Sequence, residues 1–508
     1  MIFTKKLLFP LILALLVLIC ACQAEPAPTA SASPCTQHTD TDDNGLCDDC
    51  KISVIVVIDF YNVNDLHGKI ADGTNHPGVD ELTTYLKKMR QSDDHVILLS
   101  SGDMWQGTPE SNLTQGNLIT DWMNEMDFAA MALGNHEFDW GEDPIAGNAA
   151  MAEFPMLAIN VFDRDTGERV SYCDSSVMVE AGGIQIGIIG AIGDCYSSIA
   201  PDHTKGIFFK TGDQLTALVK AESEKLRAQG ADLIVYMLHD GLGRSTSGTV
   251  SANQMASYYD IDLSDGYVDL VFEGHTHQSY YAKDIYGVYH LQGGGDNKGI
   301  THAEISVNTA NGNVATRQAD VISTGVYAGL SDDPLIPQLL EKYAEQIAPS
   351  NKVLGTVSRS LNRDEARQLI AQLYYEAGLA KWGDEYDIVL GGGFLSIRSP
   401  GYLPAGQVTY GTLQSIFPFD NELVLCSIKG SDLKSKFFES SNDSYFISYG
   451  AYGEEVRKNI DPNATYYIIV DSYTSTYAPN RLTEIQRYGA PVYARDLLAQ
   501  YIQAGGLS

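Results

Sequence analysis

The stretch "FAAMALGNHEFDWG", Phe128 to Gly141, runs from an apolar segment straight into an asparagine, a histidine and two acids. A short apolar run closed by glycine reads as a buried strand. Polar groups gathered at the carboxyl end of such a strand are what ligand sites in open α/β sheets are made of.

The same arrangement recurs along the chain. "ISVIVVIDFYNVN" leads into Asp65 and His67 of "NDLHG", "HVILLSS" into Asp103 of "GDMWQG", "DLIVYML" into His239, and "VDLVFE" into His275 and His277 of "GHTHQ". "IQIGIIGA" is a further predicted strand. Among these runs, "GVDELTTYLKKMRQ", "GNLITDWMNEM" and "GDQLTALVKAESEKLRAQG" carry apolar residues at helical spacing. Alternation of this kind from Ile52 onward predicts an α/β layered domain. Strand ends in such a sheet converge, so groups about 210 residues apart in sequence can meet.

Asp65, His67, Asp103, Asn135, His239, His275 and His277 form a mixed oxygen and nitrogen donor set. It suits one or more divalent ions such as Zn, Mn, Fe or Co, and it contains no thiolate. Two cations about 3.5–4 Å apart need a shared anionic ligand, and Asp103, central in chain order, is the natural bridge. Singly, each motif is weak: a histidine after a strand is more often structural, and D-x-H or G-D recurs by chance. Five in fixed order, each ending a predicted strand, point to a metal centre.

The order D-x-H, G-D, G-N-H-E/D, H and G-H-x-H/Q resembles that of the calcineurin-like metallophosphoesterases. Within them, "NDLHG" and "GNHEFD" resemble the bacterial 5′-nucleotidase family, which includes the UDP-sugar hydrolase/5′-nucleotidase type; the resemblance covers residues 52–485. It implies a four-layer α/β/β/α sandwich as catalytic domain (52–325) and a C-terminal α/β domain (353–508) that binds substrate. It implies that Asp65, His67, Asp103 and His277 bind one metal ion, and that Asp103 reaches a second alongside Asn135, His239 and His275. The last position is Gln in some relatives and His277 here. His136 is then the catalytic group facing the scissile phosphate, with Asp139 orienting and charging it. Two dications lower the pKa of a bound water so that hydroxide attacks in line near neutral pH. A protonated His136 stabilises charge on the phosphoryl group or the leaving oxygen.

"SDDPLIPQLLEKYAEQIAPS", set off by prolines, reads as a linking helix within 326–352 and as the place for a hinge. Beyond it a helix is predicted in "RDEARQLIAQLYYEAGLA", followed by "YDIVLGGG". Arg363 and Arg367 stand one helical turn apart, "GGGFLSIRSPG" supplies Arg398, and "FPFDNEL" supplies Phe419 and Asn421. The ordinary alternative is a solvated arginine pair and a core phenylalanine. The resemblance implies instead that the arginines hold the anionic part of a nucleotide, Phe419 stacks the base, and Asn421 hydrogen-bonds its edge. Tyr473 is the positional match for a second stacking aromatic, with Tyr477 a rival. Relatives carry a "GGDGY"-like loop here, whereas "DSYTSTYAPNRLTE" lacks the glycine pair and the acid. That departure leaves nucleotide sugars and 2′,3′-cyclic nucleotides open beside nucleoside 5′-monophosphates. A non-catalytic nucleotide-binding surface protein is the reading from another class, and the intact ligands and His136 argue against it.

The 508 residues, 44% hydrophobic, suffice for two or three domains. A net charge of -32, from 65 acids against 33 Lys and Arg, repels phosphate backbones and disfavours nucleic-acid polymers as partners. "MIFTKKLLFPLILALLVLICAC" has two lysines, an apolar run and small residues before Cys22, the pattern of a secretory signal over 1–22. Its end, Ile19 to Cys22, resembles a bacterial lipobox. Lipidation at Cys22 is therefore expected, with the protein held outside the cytoplasm on the bacterial membrane by acyl chains. No other apolar stretch approaches the roughly 18 residues needed to span a bilayer.

Residues 23–34, Pro-rich and small, read as a flexible tether. In the Cys- and Asp-rich loop 35–51, Asp40, Asp42 and Asn44 before Gly45 match the start of a calcium loop, although Lys51 falls where an EF-hand places its bidentate acid. A transition-metal knuckle of Cys47 and Cys50 with Cys35 and His38, or a disulfide-stapled loop, stand beside that reading. Spacing also leaves a Cys173–Cys195 disulfide open.

Overall fold

The computed structural model describes residues 35, 37–73, 77–243, 259–395, 397–398, 401–435, 447–450, 459–477, 481–489 and 492–508. The expected signal, tether and lipidated Cys22 lie outside the described residues. Among those described, no helix is long and apolar enough to cross a membrane.

Two six-stranded sheets face each other in the N-terminal part. One runs in the order Val314–Ser323, Gly299–Asn308, Ile55–Val63, Val96–Ser100, Phe128–Ala132, Met156–Leu157. The other runs Ser279–Lys283, Tyr289–Gly293, Leu270–Glu273, Leu233–His239, Ile184–Ile192, Ser176–Ala181. The central pairs of both sheets are parallel, and antiparallel strands close edges.

Side-chain alternation along each strand builds the layers. Ile97 and Leu99 enter the core between the sheets, while Val96 and Leu98 turn outward. Val235 and Met237 likewise face the opposite sheet, and Ile234 and Tyr236 face away. Parallel strands buried on both faces need apolar residues at nearly every position, which is why they stand out as continuous runs. The outer faces are covered by helices Asp80–Ser92 and Asn117–Glu125 on one side and Asp213–Ala228 on the other. The result is the α/β/β/α sandwich.

The linking helix differs from its expected role. Helices Leu335–Lys342 and Ala344–Ile347 bury Ile336, Leu339, Tyr343 and Ile347 in the core beneath the first sheet. Tyr343 donates to Asp121 at 2.6 Å, and Lys342 pairs with the same carboxylate. The apolar spacing that reads as a hinge is the contact face of a docked helix, so the chain leaves the catalytic unit only after it.

The C-terminal sheet runs Ile447–Tyr449, Ile388–Gly393, Thr465–Asp471, Leu423–Lys429, Leu482–Arg487. Helix Arg363–Trp382 starts from a capping box of Asn362 and Glu365 and lies across the sheet at Gly378, where a Cβ would sit 2.2 Å from Ile469.

Two further expectations are corrected. Cys173 and Cys195 are buried free thiols turned to the carbonyls of Ala158 and His239, so no disulfide joins them. In the acidic loop, Asn44 turns its oxygen to the Leu46 N–H and its amide to Asp42. The expected oxygen set of Asp40, Asp42 and Asn44 is broken by these bonds, and Asp48 takes the place of Asn44 beside the two carboxylates.

Candidate active site

Five of the expected ligands occupy a backbone conformation that non-glycine residues rarely adopt. Asp65, His67, Asp103, His275 and His277 have φ between +50° and +68°. Each such residue costs about 1–3 kcal/mol, and such residues cluster where a chain must turn sharply to aim a side chain. Gly134 allows the closest approach: a Cβ there would lie 2.3 Å from Asp103 Oδ1 and 2.7 Å from His239 Cε1.

The side chains meet over the sheet ends. His67 Nε2 faces His277 Nε2 at 3.0 Å, and His277 Nε2 lies 3.4 Å from Asp65 Oδ1. Asn135 Oδ1 is 2.8 Å from His275 Nδ1 and 3.3 Å from His239 Nε2. Asp103 Oδ2 stands between the two groups, 3.2 Å from His239 Nε2 and 4.0 Å from His67 Nε2. All seven expected metal ligands are thus brought together.

This arrangement fits divalent ions. Asp103 Oδ2 is fully buried yet accepts no well-aligned hydrogen bond, a costly state unless a cation completes it. Burial would raise the Asp103 carboxyl, but His239 and His136 beside it hold it well below the usual range. His67 and His239 each turn Nδ1 to a backbone carbonyl, Gln106 at 2.9 Å and Ser101 at 2.6 Å. That assignment leaves Nε2 of each ring as a lone-pair donor toward the centre.

His136 sits at the rim, with its Nδ1 2.7 Å from Asp139 Oδ2. Burial opposes charge on the ring, but Asp139 and Asp103 outweigh it and the pKa is raised. Its Nε2 lies 2.8 Å from Arg398 Nη2 of the C-terminal domain, and Phe419 stacks on the same imidazole at 5.9 Å. The two influences oppose each other: Asp139 favours imidazolium, whereas a guanidinium donating to Nε2 requires the neutral ring.

A cavity of about 660 Å³ separates the domains here. Asp103, Asn135, His136, Asp139, His275 and His277 line one side, and Arg398, Phe419, Asn421 and Tyr473 the other. The Tyr477 side chain lies outside the described residues. Arg363 and Arg367 do not line the cavity. Arg367 is buried and donates to the Phe394 carbonyl at 3.0 Å, while Arg363 is exposed at the helix start. Their spacing reflects the helix, and Arg367 braces the Gly-rich turn from behind.

Two positioning residues escaped the sequence reading. Glu137 is fully buried and accepts the N–H groups of Gly134 (2.7 Å), Asp103 (2.9 Å), Met104 (2.9 Å) and Trp105 (3.3 Å), tying two strand-end loops together. Arg495 donates to the carbonyls of Phe417, Pro418 and Phe419 and pairs with Asp420, fixing the loop that carries Phe419. The acid of "GNHE" was a signal for the first; nothing local marks the second.

Residues 58–279 match the family model of the calcineurin-like phosphoesterases. With the sandwich and the ligand cluster, this marks residues 58–279 as a calcineurin-like phosphoesterase domain. Among its relatives, the chain is 24% identical over 468 residues to the Endonuclease YhcR of Bacillus subtilis, covering 83% of this chain and 37% of that protein. It is 30% identical over 228 residues to a 5′-nucleotidase of Vibrio cholerae, covering 43% of this chain and 40% of that one. The chain thus spans less than two thirds of either protein. The crystal structure of a 5′-nucleotidase precursor from Thermus thermophilus shares the fold over 88% of this chain and 96% of that chain, with a TM-score of 0.68 and 20% identity.

Proposed function

We propose that the protein is an extracytoplasmic two-metal nucleotidase that releases phosphate from nucleoside 5′-monophosphates. The observation that carries this reading is the shared cavity: a metal-ligand cluster on one wall and an arginine with two aromatic rings on the other. One wall suits a phosphoryl group and the other a base. The likeness to a protein named 5′-nucleotidase supports the same substrate class.

Divalent ions held by Asp65, His67, Asp103, Asn135, His239, His275 and His277 would supply an activated water and offset phosphoryl charge. Arg398 holds the phosphate through charge-assisted hydrogen bonds. His136, charged by Asp139, stabilises negative charge as the leaving oxygen departs. Phe419 and Tyr473 sandwich the base, and Asn421 reads its edge. The leader supports secretion with Cys22 as the acylated N-terminus, which a Cys22→Ala variant recovered in the medium instead of the membrane fraction would bear out.

The test is phosphate release from AMP, UDP-glucose and 2′,3′-cAMP by the Mn- or Zn-loaded protein, beside His136→Ala and Asp103→Ala. AMP should be the best substrate. His136→Ala should lose about 100-fold or more in kcat while keeping its metal, and Asp103→Ala should lose metal as well. Undiminished turnover in His136→Ala would remove its assigned role, and no turnover of any substrate with metal bound would end the enzymatic reading.

A further inference from the structure

Far from the catalytic cavity, the loop ahead of the first strand assembles a second donor set of another chemical kind. Cys35, His38, Cys47 and Cys50 follow the spacing C-x2-H-x8-C-x2-C. Their ligand atoms all lie within 4.8 Å of one another. Cys35 Sγ is 3.8 Å from Cys47 Sγ, and Cys50 Sγ is 3.5 Å from His38 Nδ1. Zinc bonds of about 2.3 Å to sulfur and about 2.0 Å to nitrogen, arranged as a tetrahedron, put sulfurs about 3.8 Å apart and sulfur about 3.5 Å from nitrogen. The two observed separations match a sulfur–sulfur edge and a sulfur–nitrogen edge of such a tetrahedron, and the remaining donor pairs lie within 4.8 Å. The sulfur–sulfur separation is not that of a disulfide, whose sulfurs lie about 2.05 Å apart.

We propose that Cys35, His38, Cys47 and Cys50 bind one zinc-class ion, distinct from the catalytic metals, that holds the segment ahead of the first strand on the catalytic domain. Three thiolates and an imidazole select a borderline-soft cation over calcium or magnesium. Four protein donors fill the tetrahedron and leave no position for substrate, which makes the site structural.

The surroundings are built for such a role. The Cys47 side chain is fully buried. Between the two knuckles, buried Asp40 closes the turn by accepting the N–H groups of Asn44 at 3.0 Å and Gly45 at 2.8 Å. Asp40 and Asp43 also accept the amides of Asn308, Asn311 and Asn313, in the turn joining strands Gly299–Asn308 and Val314–Ser323. Leu46 pairs with Ser53 across an antiparallel bridge. An ion in the knuckles therefore ties the entering segment to an edge of the first sheet.

The experiment loads the full chain, kept reduced, with Co(II) or Zn(II). A thiolate-to-cobalt charge-transfer band should appear in the wild type and vanish in Cys47→Ser/Cys50→Ser. It should persist in Cys195→Ser, since the Cys195 thiol lies beside His239 and His275 and is, among the described residues, another sulfur placed to respond. Bound zinc should fall by one equivalent in the double variant, with phosphatase turnover retained. In the wild type, zinc should shield Cys35, Cys47 and Cys50 from alkylation, and a chelator should expose them. That readout stands even where the double variant fails to fold. Equal zinc content in wild type and double variant, alkylation indifferent to zinc, or a Cys35–Cys47 disulfide in the native protein would each overturn the proposal.

Discussion

Asp139 is 2.7 Å from one nitrogen of His136, and a guanidinium sits 2.8 Å from the other. Because the His136 pKa is raised, the charged ring persists to higher pH than a free histidine and is lost as pH climbs through that raised value. Asp139→Asn removes the strongest upward influence, so the alkaline limb of the pH–rate profile should move to lower pH; an unmoved limb would show that another group sets it. Glu137 acts through backbone instead. Glu137→Ala strands four buried N–H groups, each worth about 1–3 kcal/mol when unsatisfied. A lowered denaturation midpoint together with weaker metal affinity is expected, since the Asp103 and Asn135 loops share that carboxylate; isothermal titration with Mn(II) reads the second effect.

The strands that end at the site were legible because burial on both faces demands continuous apolar runs. The hairpin strands Gly299–Asn308 and Val314–Ser323 were not, since "GITHAEISVN" buries polar Thr301 and His302 among its apolar residues and "VATRQADVIS" is an edge strand that is largely open. The convergence of the seven candidate ligands was legible from their position after strands, but the left-handed backbone of five of them was not. Helical spacing placed Arg363 and Arg367 correctly on a helix and said nothing of the Phe394 carbonyl that Arg367 meets. Arg495 was invisible for the same reason, lying on helix Ala494–Gln503 some 76 residues beyond Phe419. Since it holds the Phe419 loop without lining the cavity, Arg495→Ala should raise KM for AMP with little change in kcat. Phe419→Ala should do the same by roughly tenfold or more, the value of about 1–3 kcal/mol of base stacking. Steady-state kinetics on both variants checks this, and a kcat loss without a KM change would place Arg495 elsewhere in the mechanism.

The proposed catalysis would need both domains held in register. Arg398 and Phe419 reach His136 from the C-terminal domain, and Arg487 crosses to Asp202 at 2.5 Å. Abolishing the latter with Asp202→Ala should leave each domain folded and alter turnover chiefly through how often the walls of the cavity meet; small-angle scattering with and without AMP reads that motion.

The five ligand residues with positive φ carry a wider consequence. A pocket bent in this way before any ion arrives costs folding energy, which the binding of each ion to the folded chain offsets. Metal and fold are therefore thermodynamically linked: free Mn(II) at a hundredfold over its Kd should add about 2.7 kcal/mol to unfolding. In the natural setting, the lifetime of this protein would then track the supply of trace metals, with starvation for those ions felt as lost stability as well as lost turnover.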